Sequence, residues 1–137
     1  MNSCSLALQS YRIVYAKGEI IIDTIIRNTL RPFGITRNYR GYPQTVFAIA
    51  LVIEDEARLR HIMADIYEVV AEQIHCKAAN VERNIRTVIL CAWRKNRALL
   101  CEMAGYPVVT PPSVSQFLDV VASYIQRNPF PVPAHQS

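Results

Sequence analysis

The chain has 137 residues, a length typical of one domain with a single hydrophobic core. Hydrophobic residues make up 51% of the sequence and charged residues 19%, which excludes the composition of an intrinsically disordered protein. The net charge is +4, and most of the basic residues are Arg, whose planar fork of donors suits phosphate and guanine. The charge therefore mildly favours a polyanionic partner.

Membrane and export signals are not apparent in the sequence. Residues 1–10 lack the basic start and apolar stretch of a secretory signal, and the longest apolar run, residues 46–53, is far shorter than the roughly 20 residues that span a bilayer. No two cysteines form a CxxC pair, so we expect reduced thiols. The cysteines are Cys4, Cys76, Cys91 and Cys101. We therefore expect a cytoplasmic protein without membrane contact.

Apolar residues recur at helical spacing from residue 20 onwards and predict a series of helices. Five of the predicted helices cover residues 20–30, 43–53, 79–97, 98–103 and a segment after Ser113. Another helix, the third in chain order, is split or continuous across residues 54–60 and ends near His75. The third helix is expected to be apolar along one face. That face comprises Leu59, Ile62, Met63, Ile66, Tyr67, Val70 and Ile74.

These helices define the fold class and the domain organisation. Gly105 stands where a left-handed C-cap is expected, Ser113 is a suitable N-cap, and no pair of strands is evident. We predict an all-α, compact multi-helix domain over residues 21–127. An N-terminal extension of uncertain structure precedes it over residues 1–20, and a Pro-rich flexible tail follows it over residues 128–137.

The predicted helix over residues 79–97 is amphipathic on a wheel of 100° per residue. Its apolar side holds Val81, Ile85, Val88, Ile89 and Ala92. Its polar side holds Ala79, Asn80, Arg83, Arg86, Thr87 and Arg94, with Glu82 at the edge. Together, residues 59–74 and 79–95 suggest a helix-turn-helix, in which the second helix enters a DNA major groove. Arg, Asn, Glu and Thr all have suitable partners on base edges.

A solvated helix surface is the plainer explanation of the same polar side. Glu82 and Arg86 have the spacing of an i,i+4 ion pair, worth a few tenths of a kcal/mol. Leu90 also faces that side, which DNA reading does not explain. Both explanations of the polar side remain open from the helix alone.

Several separated motifs resemble one known family. They are ANVERNIR at residues 79–86 followed by Ala92-Trp93, RGY at 40–42, AGYPV at 104–108 and PSVSQF at 112–117. In matching order over roughly residues 22–126, they resemble the C-terminal effector domain of the stage zero sporulation response regulator, the master transcription factor of endospore formers. The resemblance implies an all-helical fold with a helix-turn-helix, tandem or homodimeric binding to a promoter box in double-stranded DNA, and contact with RNA polymerase sigma factor.

The resemblance also assigns roles to residues. Glu82, Arg83 and Arg86 match acidic and basic residues of the family's recognition helix, and Asn80 stands where the family has an Arg. We predict that these four read bases. Small hydroxyl residues near the start of that helix are replaced here by Cys76, Lys77 and Ala79, so we expect a different target sequence and weaker binding. The residues before position 21 are too few for the family's usual receiver domain, so control by phosphorylation is not expected.

Other basic or polar residues are candidates for the phosphate backbone, which positions a protein without specifying sequence. We predict phosphate contacts from Arg40, Lys77, Thr87 and Arg94. Arg31 and Arg37 are further candidates, and Lys95 and Arg97 could instead face a polymerase subunit. Ordinary surface charge is the alternative in each case.

No metal, cofactor or catalytic site is predicted. His75 and Cys76 are adjacent but lack the paired spacing of a structural zinc site. Trp93 and Tyr106 are assigned to packing. Neither a Gly-rich phosphate loop nor a catalytic carboxylate pair is present, so we do not expect an enzyme. The main competitor to the DNA-binding regulator is a protein-interaction module that keeps the fold and modulates a full-length relative without reading DNA.

Overall fold

The computed structural model describes residues 20–128. Six α-helices lie in this range: α1 (Ile20–Leu30), α2 (Tyr42–Glu54), α3 (Glu68–Ile74), α4 (Ala78–Lys95), α5 (Arg97–Ala104) and α6 (Val114–Arg127). Short 3₁₀ segments cover Arg31–Phe33 and Glu56–His61, and a π-helical segment covers Met63–Tyr67. Residues 20–128 contain no strand, so the predicted all-α class is confirmed. The predicted N-terminal extension and nearly all of the predicted tail lie outside the described residues.

Helix α2 is the centre of the domain, as its apolar sequence predicts. Pro43 occupies its first turn, where the missing N–H costs nothing. The hydroxyl of Thr45, completely buried, donates to the carbonyl oxygen of Gly41 at 2.8 Å, which satisfies a polar group in the core. Helices α1, α4 and α6 all pack against α2. The predicted bounds, residues 43–53, differ from the observed helix by one residue at each end.

The segment before α3 departs from the prediction. Asp55 accepts a hydrogen bond from the backbone N–H of Ala57 at 3.0 Å and starts a 3₁₀ turn, and the chain then widens into the π-helical segment. Ile66 and Tyr67 are buried, but the side chain of Met63 is 53% exposed. A π turn spans one residue more than an α turn, so it shifts which positions face the core. The prediction that Met63 lies on the apolar face was therefore wrong.

Capping residues determine where the last helices begin and end. Helix α4 ends at Lys95 rather than at residue 97, because the side-chain oxygen of Asn96 accepts from the N–H of Leu99 at 3.1 Å and caps α5. Gly105 ends α5 with φ of 83°, as predicted. Ser113 accepts from the N–H of Gln116 at 3.1 Å and caps α6, also as predicted.

The two aromatic residues assigned to packing have different environments. Trp93 is buried in the single core, as predicted, and the guanidinium of Arg97 lies 4.0 Å from the centre of its ring. Tyr106, which is also assigned to packing, is 48% exposed and lies at the surface, outside the core. Gly105 turns the chain outward at this point, and the Tyr106 hydroxyl accepts a hydrogen bond from the Gln116 side chain at 3.2 Å.

Candidate nucleic-acid interface

Helices α3 and α4 form the predicted helix-turn-helix. They pack against each other and are joined by residues 75–77. His75 adopts a left-handed conformation with φ of 64°, and its N–H donates to the carbonyl oxygen of Ala71. The N–H of Cys76 donates to the same oxygen at 2.9 Å. These bonds end α3 and fix the direction in which α4 begins.

The apolar side of α4 is locked into the core. All five residues predicted to lie there are buried: Val81, Ile85, Val88, Ile89 and Ala92. The predicted polar side faces solvent. On it, Ala79, Arg83, Arg86, Thr87 and Arg94 are exposed, and Asn80 and Glu82 are half-buried. In helix-turn-helix domains, an exposed polar face on the second helix is the part that meets the DNA major groove.

The two candidate arginines of α4 differ in their surroundings. Arg86 forms an ion pair with Glu82 one turn earlier, and the Arg86 side chain remains 62% exposed. Arg86 also lies near Tyr67: burial raises the pKa of the Tyr67 hydroxyl, and the charge of Arg86 partly opposes that rise. Arg83 has no ion pair with any other residue in the described range. Within residues 20–128 the Arg83 guanidinium therefore has no charged partner, whereas that of Arg86 is paired with Glu82.

Two candidates for phosphate contact, Lys77 and Thr87, lie at the start of α4 and in its middle. Lys77 is exposed and is the N-cap residue, with φ of −94° and ψ of 147°, and its side chain makes no capping bond. The Thr87 hydroxyl donates to the Arg83 carbonyl oxygen at 3.2 Å. Because a hydroxyl carries one hydrogen, Thr87 can donate to a phosphate only if it gives up this bond.

One flank of α4 is covered by residues 31–41, which we name the basic loop because it carries Arg31, Arg37 and Arg40. Gly41 touches the backbone of α4: a Cβ added there would lie 2.5 Å from the carbonyl oxygen of Asn84. The loop is joined to the end of α4 as well. The Asn96 amide donates to the Pro32 carbonyl oxygen at 3.2 Å, and the ammonium of Lys95 lies 5.9 Å from the ring centre of Tyr39.

The contact between Gly41 and Asn84 places Arg40, the residue before Gly41, beside the middle of α4. Arg40 and Arg94 are both exposed and have no ion-pair partner within residues 20–128. Lys95, by contrast, packs along the loop, since its aliphatic stem lies against Gly34. The close approach between Gly41 and Asn84, which are 43 positions apart, could not be predicted from the sequence pattern.

The other flank of α4 borders a groove of about 380 Å³. Its apolar lining comes from Ile62, Tyr67, Ile89, Leu90, Pro111, Pro112 and Val114. Glu82 and Arg86 also line it. This groove explains why an apolar residue, Leu90, stands at the edge of the polar side. Sequence reasoning missed it because Pro111 and Pro112 come from a loop far along the chain.

Comparison with known families agrees with this architecture. Residues 26–125 match the family described as Sporulation initiation factor Spo0A C terminal. The chain belongs to this family. The match covers well over half of the 137 residues and nearly the whole range over which the sequence motifs resemble it. All of the residues predicted to contact DNA lie inside the Spo0A C-terminal match. The family is one of transcription-factor domains and not of enzymes.

Within residues 20–128 no three His, Cys, Asp or Glu side chains come together in a way that could hold a metal ion. In the same range, none of the helices combines the length and the apolar character needed to cross a membrane.

Proposed function

We propose that the protein is a sequence-specific transcription regulator that binds double-stranded DNA by placing α4 in the major groove. The observation that carries this proposal is the geometry of α4. Its apolar side is fixed in the core, and its opposite side presents Arg83 and Arg86 to solvent on the second helix of a helix-turn-helix. Membership of the Spo0A C-terminal family supports the same function.

Within this proposal the base-reading residues have different tasks. Arg83 is exposed and unpaired among the described residues, so it is the best candidate for two parallel bonds to guanine. Arg86 is held by Glu82, which limits its rotamers before DNA arrives and reduces the entropy lost on binding. Asn80, which is half-buried in the first turn of α4, is our candidate for pairing with adenine.

The proposed phosphate contacts surround this reading face. Lys77 lies at the start of α4, Arg94 lies near its end, and Arg40 lies on the flank beside Asn84. Their exposed charges would neutralise backbone phosphates and release counterions. Thr87 is the weakest of the four candidates, because its hydroxyl is already bonded to the helix backbone.

The direct test is selection of random double-stranded DNA on the purified protein. The same selection is done with Glu82, Arg83 and Arg86 all changed to Ala, and with Arg60→Ala as a control for the loss of positive charge. Arg60 is exposed and lies outside α4. We expect one short motif enriched by the wild type and by Arg60→Ala and absent for the triple variant. Failure of the folded wild type to enrich any motif would contradict the proposal.

A second candidate is a protein-interaction module, and the groove beside α4 is the observation that favours it. That groove is mostly apolar and lies along Glu82 and Arg86. The two functions respond differently to salt. DNA binding falls steeply as salt is added, because counterions compete for the phosphates, whereas an apolar protein contact does not.

Assembly and further partners are proposals that rest on the family. They comprise tandem or homodimeric binding on DNA and contact with RNA polymerase sigma factor. For the polymerase contact, Arg97 is a better candidate than Lys95, since Arg97 is exposed and its guanidinium stacks on Trp93. Lys95 is partly occupied by the basic loop.

A further inference from the structure

A second basic feature lies between α1 and the basic loop. It is a cleft of about 290 Å³ whose lining residues include three arginines, Arg27, Arg31 and Arg37. Thr36, Asn38 and Tyr42 add hydroxyl and amide groups to the lining. None of the carboxylates within residues 20–128 lines the cleft. The feature thus combines concentrated positive charge with neutral hydrogen-bonding groups.

One of the three guanidinium groups is already held in place. The Nε of Arg27 donates to a carboxylate oxygen of Asp23 at 2.6 Å, and one terminal nitrogen donates to the Tyr42 hydroxyl at 3.5 Å. The guanidinium also lies 5.2 Å from the centre of the Tyr42 ring. Because a guanidinium has five N–H donors, Arg27 keeps donors for a ligand after these bonds are made.

The other two arginines are exposed and, among residues 20–128, have no ion-pair partner. Asp23 pairs with Arg27 alone, so among residues 20–128 the three arginines have one carboxylate partner between them. This imbalance gives the cleft a net positive charge. Arginine forks are suited to phosphoryl oxygens, which accept two parallel hydrogen bonds.

The backbone that carries these groups is fixed. Phe33 and Ile35 are buried in the core and anchor the loop on either side of Gly34. Within the loop, the N–H of Tyr39 donates to the Thr36 carbonyl oxygen at 3.1 Å, and the N–H of Tyr42 donates to the Tyr39 carbonyl oxygen at 3.0 Å. Because the loop backbone is already ordered, little conformational entropy is lost when a ligand binds there.

We propose that this cleft binds a phosphoryl group. The group is either a free phosphate or phosphorylated small molecule, or a backbone phosphate of bound DNA. Only the second source rests on the proposed DNA-binding function, and it would extend the footprint beyond α4 by way of the basic loop.

The first experiment uses inorganic phosphate alone, titrated at constant ionic strength while the side-chain Nε–H signals of arginine are followed by NMR. We expect saturable shifts of the Arg31 and Arg37 signals. Changing both residues to Ala should weaken binding about tenfold or more, because charge-assisted hydrogen bonds are lost. Arg60→Ala, which removes one positive charge outside the cleft, should bind phosphate as the wild type does.

The second experiment measures affinity for the selected DNA over a range of salt concentrations. If the cleft holds a DNA phosphate, the double variant should bind more weakly and its salt dependence should be lower by about two counterions. If the cleft holds a free phosphate, the double variant should bind the selected DNA as tightly as the wild type does and still lose phosphate binding.

The two experiments separate this inference from the proposed function. Saturable phosphate binding by a protein that selects no DNA would leave the cleft proposal standing and overturn the DNA-binding one. Unsaturable shifts with phosphate, together with unchanged DNA binding by the double variant, would overturn the cleft proposal.

Discussion

Gly41 lies directly against the backbone carbonyl of Asn84, so close that a Cβ would come within 2.5 Å of its oxygen and 2.8 Å of its carbon. The neighbour is helix backbone, which cannot move aside as a flexible side chain can. A side chain at position 41 would therefore push the basic loop away from α4. The contact joins the two basic surfaces of the domain, the exposed side of α4 and the loop that carries Arg40.

The first prediction concerns this contact. Gly41→Ala should destabilise the fold by about 1–3 kcal/mol, as overpacking of a close contact does. Urea unfolding followed by circular dichroism measures the change. Gly105→Ala is an informative comparison: Gly105 has φ of 83° but no atom within 4 Å of an added Cβ, so its cost is backbone strain alone. Only Gly41→Ala should also weaken DNA binding, and a Gly41→Ala protein as stable as the wild type would contradict the account.

The second prediction concerns Lys77. Because Lys77 is proposed to contact a phosphate, Lys77→Ala should weaken binding to all duplexes by a similar factor and lower the salt dependence by about one counterion. Fluorescence anisotropy on the selected duplex and on a scrambled one, at several salt concentrations, checks this. A loss confined to the selected duplex would show instead that Lys77 reads sequence.

The third prediction concerns the pair formed by Glu82 and Arg86. Glu82→Gln keeps the size of the side chain but removes the charge that holds Arg86. We expect weaker discrimination at the base pair that Arg86 contacts, since a good bidentate contact discriminates by about 1–3 kcal/mol. Competition binding with single-base-pair variants of the selected duplex measures it. If Glu82 acts only as a surface charge, the variant should gain affinity uniformly and keep its discrimination.

The fourth prediction concerns the junction between α4 and α5. Asn96 caps α5 through its side-chain oxygen and donates through its amide to Pro32 in the basic loop. Asn96→Ala should lower the free energy of unfolding by about 1 kcal/mol or somewhat more, a typical cost of losing an N-cap. Asn96→Asp keeps the cap oxygen and should recover most of this loss in thermal unfolding. Equal stability of the Ala variant and the wild type would argue against the capping role.

The structure shows which features could be predicted from sequence and which could not. The buried side of α4, the Gly105 C-cap and the Ser113 N-cap follow from local periodicity and from the known preferences of capping residues. The exposure of Met63 could not be predicted, because a π turn changes the helical phase without a clear local signal in the sequence. The cap at Asn96 could have been found, since Asn is a common N-cap residue.

The flanks of the candidate interface depend on contacts between distant parts of the chain. Gly41 could be recognised as part of a motif, but its contact with Asn84 arises only when α2 and α4 pack together. Leu90 was unexplained on the helix wheel until the loop containing Pro111 and Pro112 was seen to form a groove with it. Tertiary packing of this kind leaves no periodic trace in the sequence.

The most direct test of the central claim is a base-pair scan with Arg83→Ala. Affinities of the wild type and the variant are measured for the selected duplex and for every single-base-pair change in it, with Arg60→Ala as control. The account predicts that the variant loses discrimination at one guanine-containing base pair and keeps it elsewhere, because Arg83 reads that base from the exposed side of α4. An Arg83→Ala variant that keeps the full wild-type pattern of discrimination would contradict the claim that this face reads DNA.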